Sequence, residues 1–525
     1  MNNICKTAIL TGAMVVLFLL PDYLYQLVNT KYEVRWIFVS MRYLLPLSLG
    51  LVMNKFRWLS VAVVVLLCAL QLMQFSKLAY FNRYITSYDF VVLLKEWRDV
   101  FLGAGDALSG HWMIIPMVAI PFALMILVSR VQINRNKYGV VVLFGTFACI
   151  TVTDYFNQMY SDSIKGRLSI DNTLKTFSLF MLDLLRTYEM PEYKDYEIKN
   201  VGAGGGHPIT VVYVMGESIN AKHMSIFGYE RETTPLMKKL SEKGDFYYTE
   251  GIAGGVCTIA SSKFMANVIY EPNNGKLTNS CETSLCKLAK DNGFKVIYIT
   301  SKFNKMITSV CNMSGKYMDV IETASTNKAH VERRKDDCIL DLLDKQEFTD
   351  KNFIILHKRC AHTPYTAVFP EGYKNRTHFK NGKDKKVDEY DNAILYEDTW
   401  LYRVFNKFNR RTHGKFYIIY ASDHNELLGE NGLYSHGYLH PAVADIPVIV
   451  QSNDAEFMRK FKAIYKPTHY EISKMIAEVL GFQIKNPNEE KDVYYINGLD
   501  YNGRAGYIRL KKDIKNKKIE YELVN

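Results

Sequence analysis

The sequence predicts an α-helical membrane domain followed by an α/β domain built on a mostly parallel sheet. Two observations predict it. Long apolar runs, several near the roughly 20 residues that a bilayer crossing needs, are confined to the first 153 residues. Beyond about residue 207, short apolar runs alternate with helix-like stretches, a pattern typical of βαβ units.

The membrane region contains five apolar runs, which we interpret as five transmembrane helices. They lie near residues 7–29, 36–53, 58–75, 112–129 and 138–153. Pro21 and Gly50 fall inside runs and are tolerable in a membrane bundle. A cleavable signal peptide is the alternative for the first run. We favour a span because four more runs follow and no small-residue cleavage site is evident.

The short loops between the runs predict the orientation. Lys55 and Arg57 lie in one loop, and Arg130, Arg135 and Lys137 lie in another, with no acidic residue in either. By the positive-inside bias both loops are cytoplasmic, as is the N-terminus. The chain beyond about residue 154 then lies on the far side, which in a bacterium is the periplasm.

Residues 154–206 form a bridge between the two domains. Apolar residues at near-helical spacing predict an amphipathic helix around 170–185, lying on the membrane surface or packed on the soluble domain. The glycine-rich stretch 202–206 predicts a flexible joint. The predicted domains are therefore 1–153, 154–206 and 207–525.

Four short apolar runs in the third domain read as buried strands, at residues 211–215, 295–299, 353–356 and 416–420. Polar or ionisable residues follow each of them. In open α/β sheets, ligands bind in the crevice beyond the carboxyl ends of the strands. The crevice should therefore collect Glu217, His362, Asp423 and His424, which are zinc-type ligands.

Thr258 is the candidate nucleophile. It lies in a loop of small residues, 254–262, suited to presenting a hydroxyl at a helix N-terminus. A free threonine hydroxyl is a poor nucleophile, and metal coordination is one way to activate it. The helix N-terminus would favour a bound phosphate.

The cysteines beyond the membrane region are even in number and permit three disulfide bonds in an oxidising compartment. A zinc cluster is the alternative, but no CxxC pair exists. We favour disulfides, above all Cys281–Cys286. The six are Cys257, Cys281, Cys286, Cys311, Cys338 and Cys360.

The net charge of +11 comes in part from the excess of lysine and arginine in the short loops of the membrane region and in part from a basic C-terminal tail. Nucleic acid is not expected as a partner outside a membrane. The tail either faces anionic lipid head groups or is simply solvated. Its cations are Arg509, Lys511, Lys512, Lys515, Lys517 and Lys518.

Two motifs carry a resemblance to a known family. GESINAKHMSIFGYERETTP at 216–235 and SDHNELLGENGLYSHG at 422–437 resemble the signatures of the phosphoethanolamine transferases of the Gram-negative inner membrane. The segments YDN at 390–392 and YED at 396–398 resemble the family's helix that lies between these two motifs. The resemblance covers the whole architecture. It implies five transmembrane helices followed by an α/β/α sulfatase/alkaline-phosphatase-like domain.

The resemblance also implies the site and the reaction. It makes Thr258 the nucleophile, and it gives His362 and His436 a role in holding the phosphoryl group or a second zinc ion. Phosphoethanolamine would pass from phosphatidylethanolamine to Thr258 and then to lipid A, lipopolysaccharide core or another envelope acceptor. The implied Zn²⁺ ligands are Glu217, Thr258, Asp423 and His424.

Several positions depart from the family pattern. Asn220 stands where the family usually has Arg, and Asn425 replaces a Gly. The cysteines that flank the nucleophile in the lipid A enzymes are absent, with Cys257 adjacent instead. These departures leave the acceptor open.

The substrate-contacting residues are predicted less sharply. In the long loop before the fourth run, Thr86, Ser87 and Glu96 are candidates for contacts to the donor head group. The lysine that contacts phosphate is Lys302, Lys305 or Lys316.

Other functions remain as alternatives. A phosphoglycerol transferase would use the same zinc and threonine chemistry. A membrane-bound phosphatase or sulfatase would share the fold, but the Cys257 segment lacks the Pro and Arg of the C-x-P-x-R setting of sulfatases. A non-enzymatic membrane scaffold is a further alternative. We expect a monomer in the inner membrane.

Overall fold

The structure is a computed structural model in which the chain forms two compact units, Met1–Thr187 and Tyr188–Asn525. It describes all residues except 1, 30–31, 33, 35–36, 82–83, 86–89, 91–92, 94–110, 132, 158–167, 186–191, 205–206, 275–276, 278–280, 303–315, 381, 412–413, 499–505 and 525. The predicted site residues Thr86, Glu96 and Lys305, together with Ser87 and Cys311, lie outside the described residues.

The first unit is helical where the apolar runs predict it. Two of its helices, Asn3–Val28 and Arg57–Ala79, are long and apolar enough to cross a bilayer, which fits a membrane protein. The other three apolar helices are shorter, so the count of five transmembrane helices is not confirmed. The helices are Asn3–Val28, Ile37–Met53, Arg57–Phe81, Ile114–Arg130, Tyr138–Asn157 and Ser169–Leu185.

The helix Ser169–Leu185 corrects the prediction of an amphipathic surface helix. Residues 168–176 are all buried, polar and apolar alike, within the first unit. The Ser169 hydroxyl donates to Asp22 Oδ2 at 2.7 Å, and Asn172 donates to Gln74 Oε1 at 2.8 Å. The polar side is buried because it has partners on Asn3–Val28 and Arg57–Phe81, which the helix periodicity alone does not reveal.

The second unit is organised around a seven-stranded sheet. Its strands are β2 (Ile209–Gly216), β3 (Phe246–Ile252), β4 (Lys295–Thr300), β5 (Val320–Glu322), β6 (Lys351–His357), β7 (Lys415–Ser422) and β10 (Asp445–Ser452). Their order is β3-β10-β7-β2-β6-β4-β5, and β10 is antiparallel to both of its neighbours. The prediction of a mostly parallel sheet is therefore confirmed, with the four predicted strands forming the adjacent set β7, β2, β6 and β4.

Both faces of the sheet are covered, as the continuous apolar strands require. Successive side chains of β2 alternate between two apolar clusters, with Tyr213 in one and Val212 and Val214 in the other. The long helix Lys385–Arg411 packs on the second cluster through residues such as Trp400. The described part of this unit is thus a three-layer α/β/α arrangement.

The remaining elements surround this core. The helices are Pro235–Ser241, Thr258–Ala266, Leu285–Asp291, Lys328–Arg334, Asp337–Leu343, Lys385–Arg411, Pro441–Ala444, Ala455–Lys462 and His469–Val479. The short 3-10 helices are Ala221–His223, Ser225–Phe227, Tyr365–Val368 and Glu430–Gly432. The strands of the smaller sheets are β1 (Glu197–Asn200), β8 (Leu427–Leu428), β9 (Tyr434–Ser435), β11 (Phe482–Lys485), β12 (Val493–Asn497), β13 (Tyr507–Asp513) and β14 (Lys518–Val524).

The basic tail is a folded part of the second unit. Its strands β13 and β14 pair with each other, and β13 pairs with β12. Two of its cations have acidic partners: Lys512 is buried and lies 2.7 Å from Glu471, and Arg509 lies 2.8 Å from Glu490. Part of the positive charge therefore stabilises the packing of the tail.

The predicted disulfide framework is not confirmed, and no disulfide bond joins the cysteines within the described ranges. Cys281 and Cys286, the favoured pair, are buried without a bond between them. Cys286 belongs to the apolar cluster on one face of the sheet, and Cys338 and Cys360 belong to the cluster on the other. Pairing Cys286 with either of these two would require a bond through the sheet.

Candidate active site

Two neighbouring parallel strands bring the central residues together. β2 and β7 end side by side, with Gly216 opposite Ser422. Glu217 directly follows β2, and Asp423 and His424 directly follow β7. One ligand-type atom from each of these three buried side chains lies within 4.8 Å of the others. The predicted convergence at the carboxyl ends of the strands is therefore present.

The cluster of Glu217, Asp423 and His424 brings ionisable side chains together away from solvent. Burial opposes ionisation of Glu217, but the ammonium of Lys302, which contacts Oε2, acts together with His424 and His362 to hold the pKa of Glu217 well below its usual range. Burial, and then the charge of Glu217, raises the pKa of Asp423. Burial opposes protonation of His424, but Asp423 and Glu217 raise its pKa to about 9. Such a group of buried anions favours a bound cation.

Asp423 shows where a metal ion fits. Its Oδ1 accepts hydrogen bonds from the amides of Ser218 at 3.0 Å and His424 at 2.8 Å. Its Oδ2 is buried and accepts no hydrogen bond in the described part of the chain, although His424 Nε2 lies 3.4 Å away. A buried carboxylate oxygen without a donor is costly unless a cation contacts it. Two carboxylates and an imidazole are a donor set that suits zinc.

Thr258 lies beside this cluster. It is the first residue of the helix Thr258–Ala266, after Cys257 in extended conformation. Its hydroxyl donates to Glu217 Oε1 at 3.2 Å and Oε2 at 3.1 Å, and it lies 3.3 Å from His424 Nε2. The structure thus places the predicted nucleophile within hydrogen-bond distance of two predicted metal ligands, at a helix N-terminus that favours phosphate.

The predicted histidines form a row next to the cluster. The His424 and His436 rings lie 4.1 Å apart between centroids, and the His436 and His362 rings 6.3 Å apart. His436 Nδ1 lies 2.5 Å from Glu426 Oε2, and Tyr365 donates to Glu426 Oε1 at 2.6 Å. Burial, and then the neighbouring His424, lowers the pKa of His436 to about 4. This shift favours the neutral ring.

The loop that carries His362 is fixed by backbone contacts. The amide of Ala361 donates to the carbonyl of Glu217 at 2.7 Å, which joins the loop to a metal-type ligand. The amide of Cys360 donates to Asp336 Oδ2 at 2.9 Å. His362 itself contacts the Thr363 carbonyl through Nδ1 at 2.6 Å. This arrangement leaves Nε2 of His362 for contacts outside its own loop.

Much of the first sequence motif serves structure, through the helix Lys385–Arg411. Asp391 Oδ1 lies 2.8 Å from His223 Nδ1. Its Oδ2 accepts hydrogen bonds from Tyr229 at 2.9 Å and Arg231 at 2.8 Å. Tyr390 donates to the carbonyl of Ser218 at 2.7 Å. The YDN segment therefore anchors the residues that follow Glu217.

The two asparagines that depart from the family pattern have defined partners. Asn220 donates to the carbonyl of Glu426 at 3.0 Å and to Glu430 Oε1 at 2.6 Å. Asn425 donates to the carbonyl of Ala442 at 2.8 Å. Both side chains hold neighbouring loops of the site in place.

Backbone strain accompanies the site. Ser218, next to Glu217, has φ 57°, and Ser435, next to His436, has φ 67°. Non-glycine residues rarely adopt this left-handed region, and such strain concentrates at functional sites.

Sequence reasoning missed Glu426 and Tyr365. The signal for Glu426 was present, because it is a carboxylate two residues after His424 at the same strand end. Of the candidate phosphate-contacting lysines, Lys302 lies at the site, whereas Lys316 is exposed with its ammonium over the Tyr317 ring.

Comparison with known proteins finds phosphoethanolamine transferases among the similar proteins. The Kdo(2)-lipid A phosphoethanolamine 7''-transferase of Salmonella typhimurium is 24% identical over 55% of this chain and 51% of its own length. The phosphatidylethanolamine transferase Mcr-1 of Escherichia coli is 27% identical over 44% of this chain and 45% of its own. The chain spans about half the length of the curated relatives it matches.

A solved structure extends the fold comparison. The integral membrane protein lipooligosaccharide phosphoethanolamine transferase A (EptA) from Neisseria meningitidis superposes with a TM-score of 0.60 at 18% identity, covering 90% of this chain and 96% of that one. The predicted resemblance to this family is confirmed. The family model described as sulfatase matches residues 209–471, half of the 525 residues, and the chain therefore belongs to the sulfatase family.

Proposed function

We propose that this chain is a zinc-dependent phosphoethanolamine transferase of the bacterial inner membrane. In this proposal it moves phosphoethanolamine from phosphatidylethanolamine to a lipid-linked or glycan acceptor of the envelope. The observation that carries the proposal is the Thr258 hydroxyl, which donates to Glu217 inside a buried cluster of metal-type ligands. The names of the similar proteins support the choice of transferred group.

The proposed arrangement in the membrane follows from the loop charges. Five helices within residues 1–153 would anchor the chain, residues 154–206 would lead out of the bilayer, and residues 207–525 would act in the periplasm. The absence of acidic residues from the loops with Lys55 and Arg135 supports this orientation. A lipid donor is reasonable for an enzyme so anchored, because its substrate occupies the same membrane.

In the first half-reaction Thr258 Oγ1 attacks the phosphorus of the donor. The new Oγ1–P bond forms as the P–O bond to diacylglycerol breaks. Glu217, which already accepts the hydroxyl hydrogen bond, orients the attacking oxygen. The proton ends on the diacylglycerol oxygen, and we assign the ammonium of Lys302, which contacts Glu217, to offset phosphoryl charge.

In the second half-reaction the acceptor hydroxyl attacks the phosphorus and Thr258 leaves. Neutral His436, with Nδ1 held by Glu426, retains Nε2 as a proton acceptor for that hydroxyl. The proton ends on Thr258 Oγ1, which restores the enzyme. We assign His362, the next histidine of the row, to the phosphoryl oxygens.

The residues that would hold zinc are Glu217, Thr258, Asp423 and His424. When bound there, the ion would lower the pKa of the Thr258 hydroxyl and offset the negative charge of the phosphoryl group.

The direct test is the covalent intermediate. With phosphatidylethanolamine present and acceptor absent, we expect a phosphoethanolamine adduct on the peptide that contains Thr258, detected by mass spectrometry. Thr258→Ala should release no diacylglycerol above background, because the first step needs the nucleophile. Thr258→Ser should retain some activity, because the hydroxyl remains.

Two results would redirect the proposal. Appreciable turnover by Thr258→Ala without any adduct would mean direct in-line transfer. A glycerophosphate group on the acceptor would mean phosphoglycerol transfer, and free phosphate or sulfate would mean hydrolysis. Head-group analysis of the modified acceptor by mass spectrometry distinguishes these products.

A further inference from the structure

The loop before Thr258 is held by residues distant in sequence. Asn497, the last residue of β12, hydrogen-bonds to the residues on both sides of Gly255, which are Gly254 and Val256. Its backbone amide and its side-chain amide both donate to the carbonyl of Gly254, at 2.8 and 2.9 Å. Its carbonyl accepts the amide of Val256 at 3.2 Å, and its Oδ1 accepts the amide of Asn273 at 3.1 Å. Asn497 is 1% exposed, so these bonds are shielded from water.

His469 holds the same loop from another direction. The amide of Gly254 donates to His469 Nδ1 at 3.0 Å. Because Nδ1 accepts this bond, the ring proton is on Nε2, which donates to the carbonyl of Ser422 at 2.9 Å. Ser422 directly precedes Asp423. The fully buried His469 ring therefore connects the nucleophile loop to the strand end that carries Asp423 and His424.

The loop before Thr258 is also packed closely on the helix that follows it. A Cβ at Gly254 would lie 2.7 Å from Phe264 Cβ, and one at Gly255 would lie 2.8 Å from Ala260 Cβ. Both glycines are thus needed for close packing on the helix that Thr258 begins. The amide of Gly437, next to His436, donates to the carbonyl of Val256 at 2.9 Å.

We propose that His469 and Asn497 are positioning residues that hold the Thr258 loop in register with the metal-type ligands. This inference rests on the proposed role of Thr258 as nucleophile. Its physical basis is that an attacking atom must be held within a fraction of an ångström of the productive geometry. Asn497 lies beyond residue 471, where the match to the sulfatase family ends. The C-terminal segment therefore contributes to the reaction of this chain.

Asn497→Asp is the sharpest variant. It keeps the side-chain acceptor for Asn273 but replaces the donor to Gly254 with an oxygen that faces a carbonyl. We expect the full-length enzyme to form the Thr258 adduct from phosphatidylethanolamine micelles about ten- to a hundredfold more slowly, in keeping with a displacement of about 1 Å or less. Bound zinc, measured by mass spectrometry, should equal that of the parent.

Asn352→Asp is the matched control. Asn352 is also 1% exposed and also bridges backbone groups, accepting from the amide of Thr349 at 2.9 Å and donating to its carbonyl at 2.6 Å. Asn352 lies near the amino end of β6, whereas His357 is at the carboxyl end of the same strand, where the site lies. Its substitution should lower the unfolding temperature as much as Asn497→Asp does, yet leave the adduct rate within about twofold of the parent. Equal rates in the two variants would overturn the proposal.

Substitutions of His469 test the proposal independently, and they remain informative if the Asn497→Asp protein does not fold. His469→Asn places an acceptor near the position of Nδ1, and His469→Gln places its amide near that of Nε2. Because Gly254 belongs to the nucleophile loop, His469→Asn should form the adduct faster than His469→Gln. The reverse order would contradict the proposed role.

Hydrogen exchange separates this inference from the proposed function. In the parent, the amides of Gly254 and Val256 should exchange slowly, and in Asn497→Asp at least about tenfold faster, without a change in Asn352→Asp. If the parent never forms an adduct, the assignment of Thr258 fails while exchange still decides whether the loop is held. Unchanged exchange in Asn497→Asp would overturn the inference whatever the activity.

Discussion

The hydroxyl of Thr258 donates to both carboxylate oxygens of Glu217, at 3.2 and 3.1 Å, across a separation of 41 residues in the chain. The same carboxylate contacts the ammonium of Lys302. Glu217 thus connects the predicted nucleophile, the predicted metal site and a cation suited to phosphate. Substitutions of these residues should therefore separate loss of metal from loss of chemistry.

Glu217→Gln should release the metal. The amide keeps the size of the side chain and one acceptor for Thr258, but it lacks the negative charge that a divalent ion needs. We expect zinc affinity to fall by more than roughly 100-fold, because loss of a group that only hydrogen-bonds to a metal ligand already costs roughly 10–100-fold. Zinc content after dialysis, with activity measured in parallel, checks this.

The control for that variant is Glu230→Gln, an exposed glutamate of the same motif. It should retain zinc and activity. Parental zinc content and full activity in Glu217→Gln would refute the assignment of the site.

His362→Ala should behave differently from the ligand variants. His362 belongs to the histidine row, 6.3 Å from His436 between ring centroids, and is not one of the three clustered metal-type ligands. We expect bound zinc to stay at the parental level while turnover falls by about a hundredfold or more, the range for removing one group that stabilises developing charge. Loss of zinc in this variant would instead make His362 a metal ligand.

Tyr365→Phe should test the support of His436 by Glu426. The Tyr365 hydroxyl donates to Glu426 Oε1 at 2.6 Å, and removing it leaves a buried carboxylate with one partner fewer. We expect transfer to slow by about tenfold or more with zinc unchanged, because Glu426 then holds His436 less firmly. Tyr402→Phe on the long helix is the control, and equal rates in both variants would exclude a role for the contact.

The stability of the second unit should depend on pH through Asp454. This residue caps the helix Ala455–Lys462 by accepting the amides of Glu456 and Phe457, each at 3.0 Å. Burial alone would raise its pKa, but Lys415 at 2.7 Å and the capping bonds lower it to about 2.

Because the folded pKa lies below the unfolded one, the stabilisation is complete above about pH 5 and is lost mainly between about pH 4 and pH 2. Asp454→Asn keeps the capping oxygen and removes the charge. Its unfolding temperature should be lower than that of the parent at neutral pH, by the equivalent of no more than about 1 kcal/mol. The gap should narrow as pH falls towards 3, and a gap independent of pH would refute the role of the charge.

The orientation in the membrane is open to a reporter test. A reporter active only outside the cytoplasm should be active when fused after Asn525 and silent when inserted at Asn134. The physical reason is the excess of lysine and arginine in the loops we place inside, which resist translocation. The opposite pattern would reverse the orientation and remove the argument for a lipid donor on that side.

Local sequence was sufficient for the strands and for the centre of the site. Runs such as 211–215 are continuously apolar because β2 is buried on both faces, and this requirement is visible in the sequence. Glu217, Asp423 and His424 were predicted to meet because the carboxyl ends of parallel strands share one edge. That rule needs only the strand boundaries.

The helix Ser169–Leu185 and the cysteines show where local patterns fail. The spacing of apolar residues predicts one buried face, but it is silent on whether the polar face also has partners, as Ser169 has in Asp22. Likewise, an even number of cysteines permits bridges without revealing that Cys286 and Cys338 lie on opposite faces of a sheet.

The sequence by itself determined which residues form the strands and which chemistry lies at their ends, because apolar runs and the residues that follow them are local properties. Only the tertiary structure decided that Tyr365 contacts Glu426, and that His469 and Asn497 hold Gly254. Those contacts join segments up to 243 residues apart, as from Gly254 to Asn497. Their geometry depends on strand order and on how the helices pack across the sheet, which no spacing within a segment encodes.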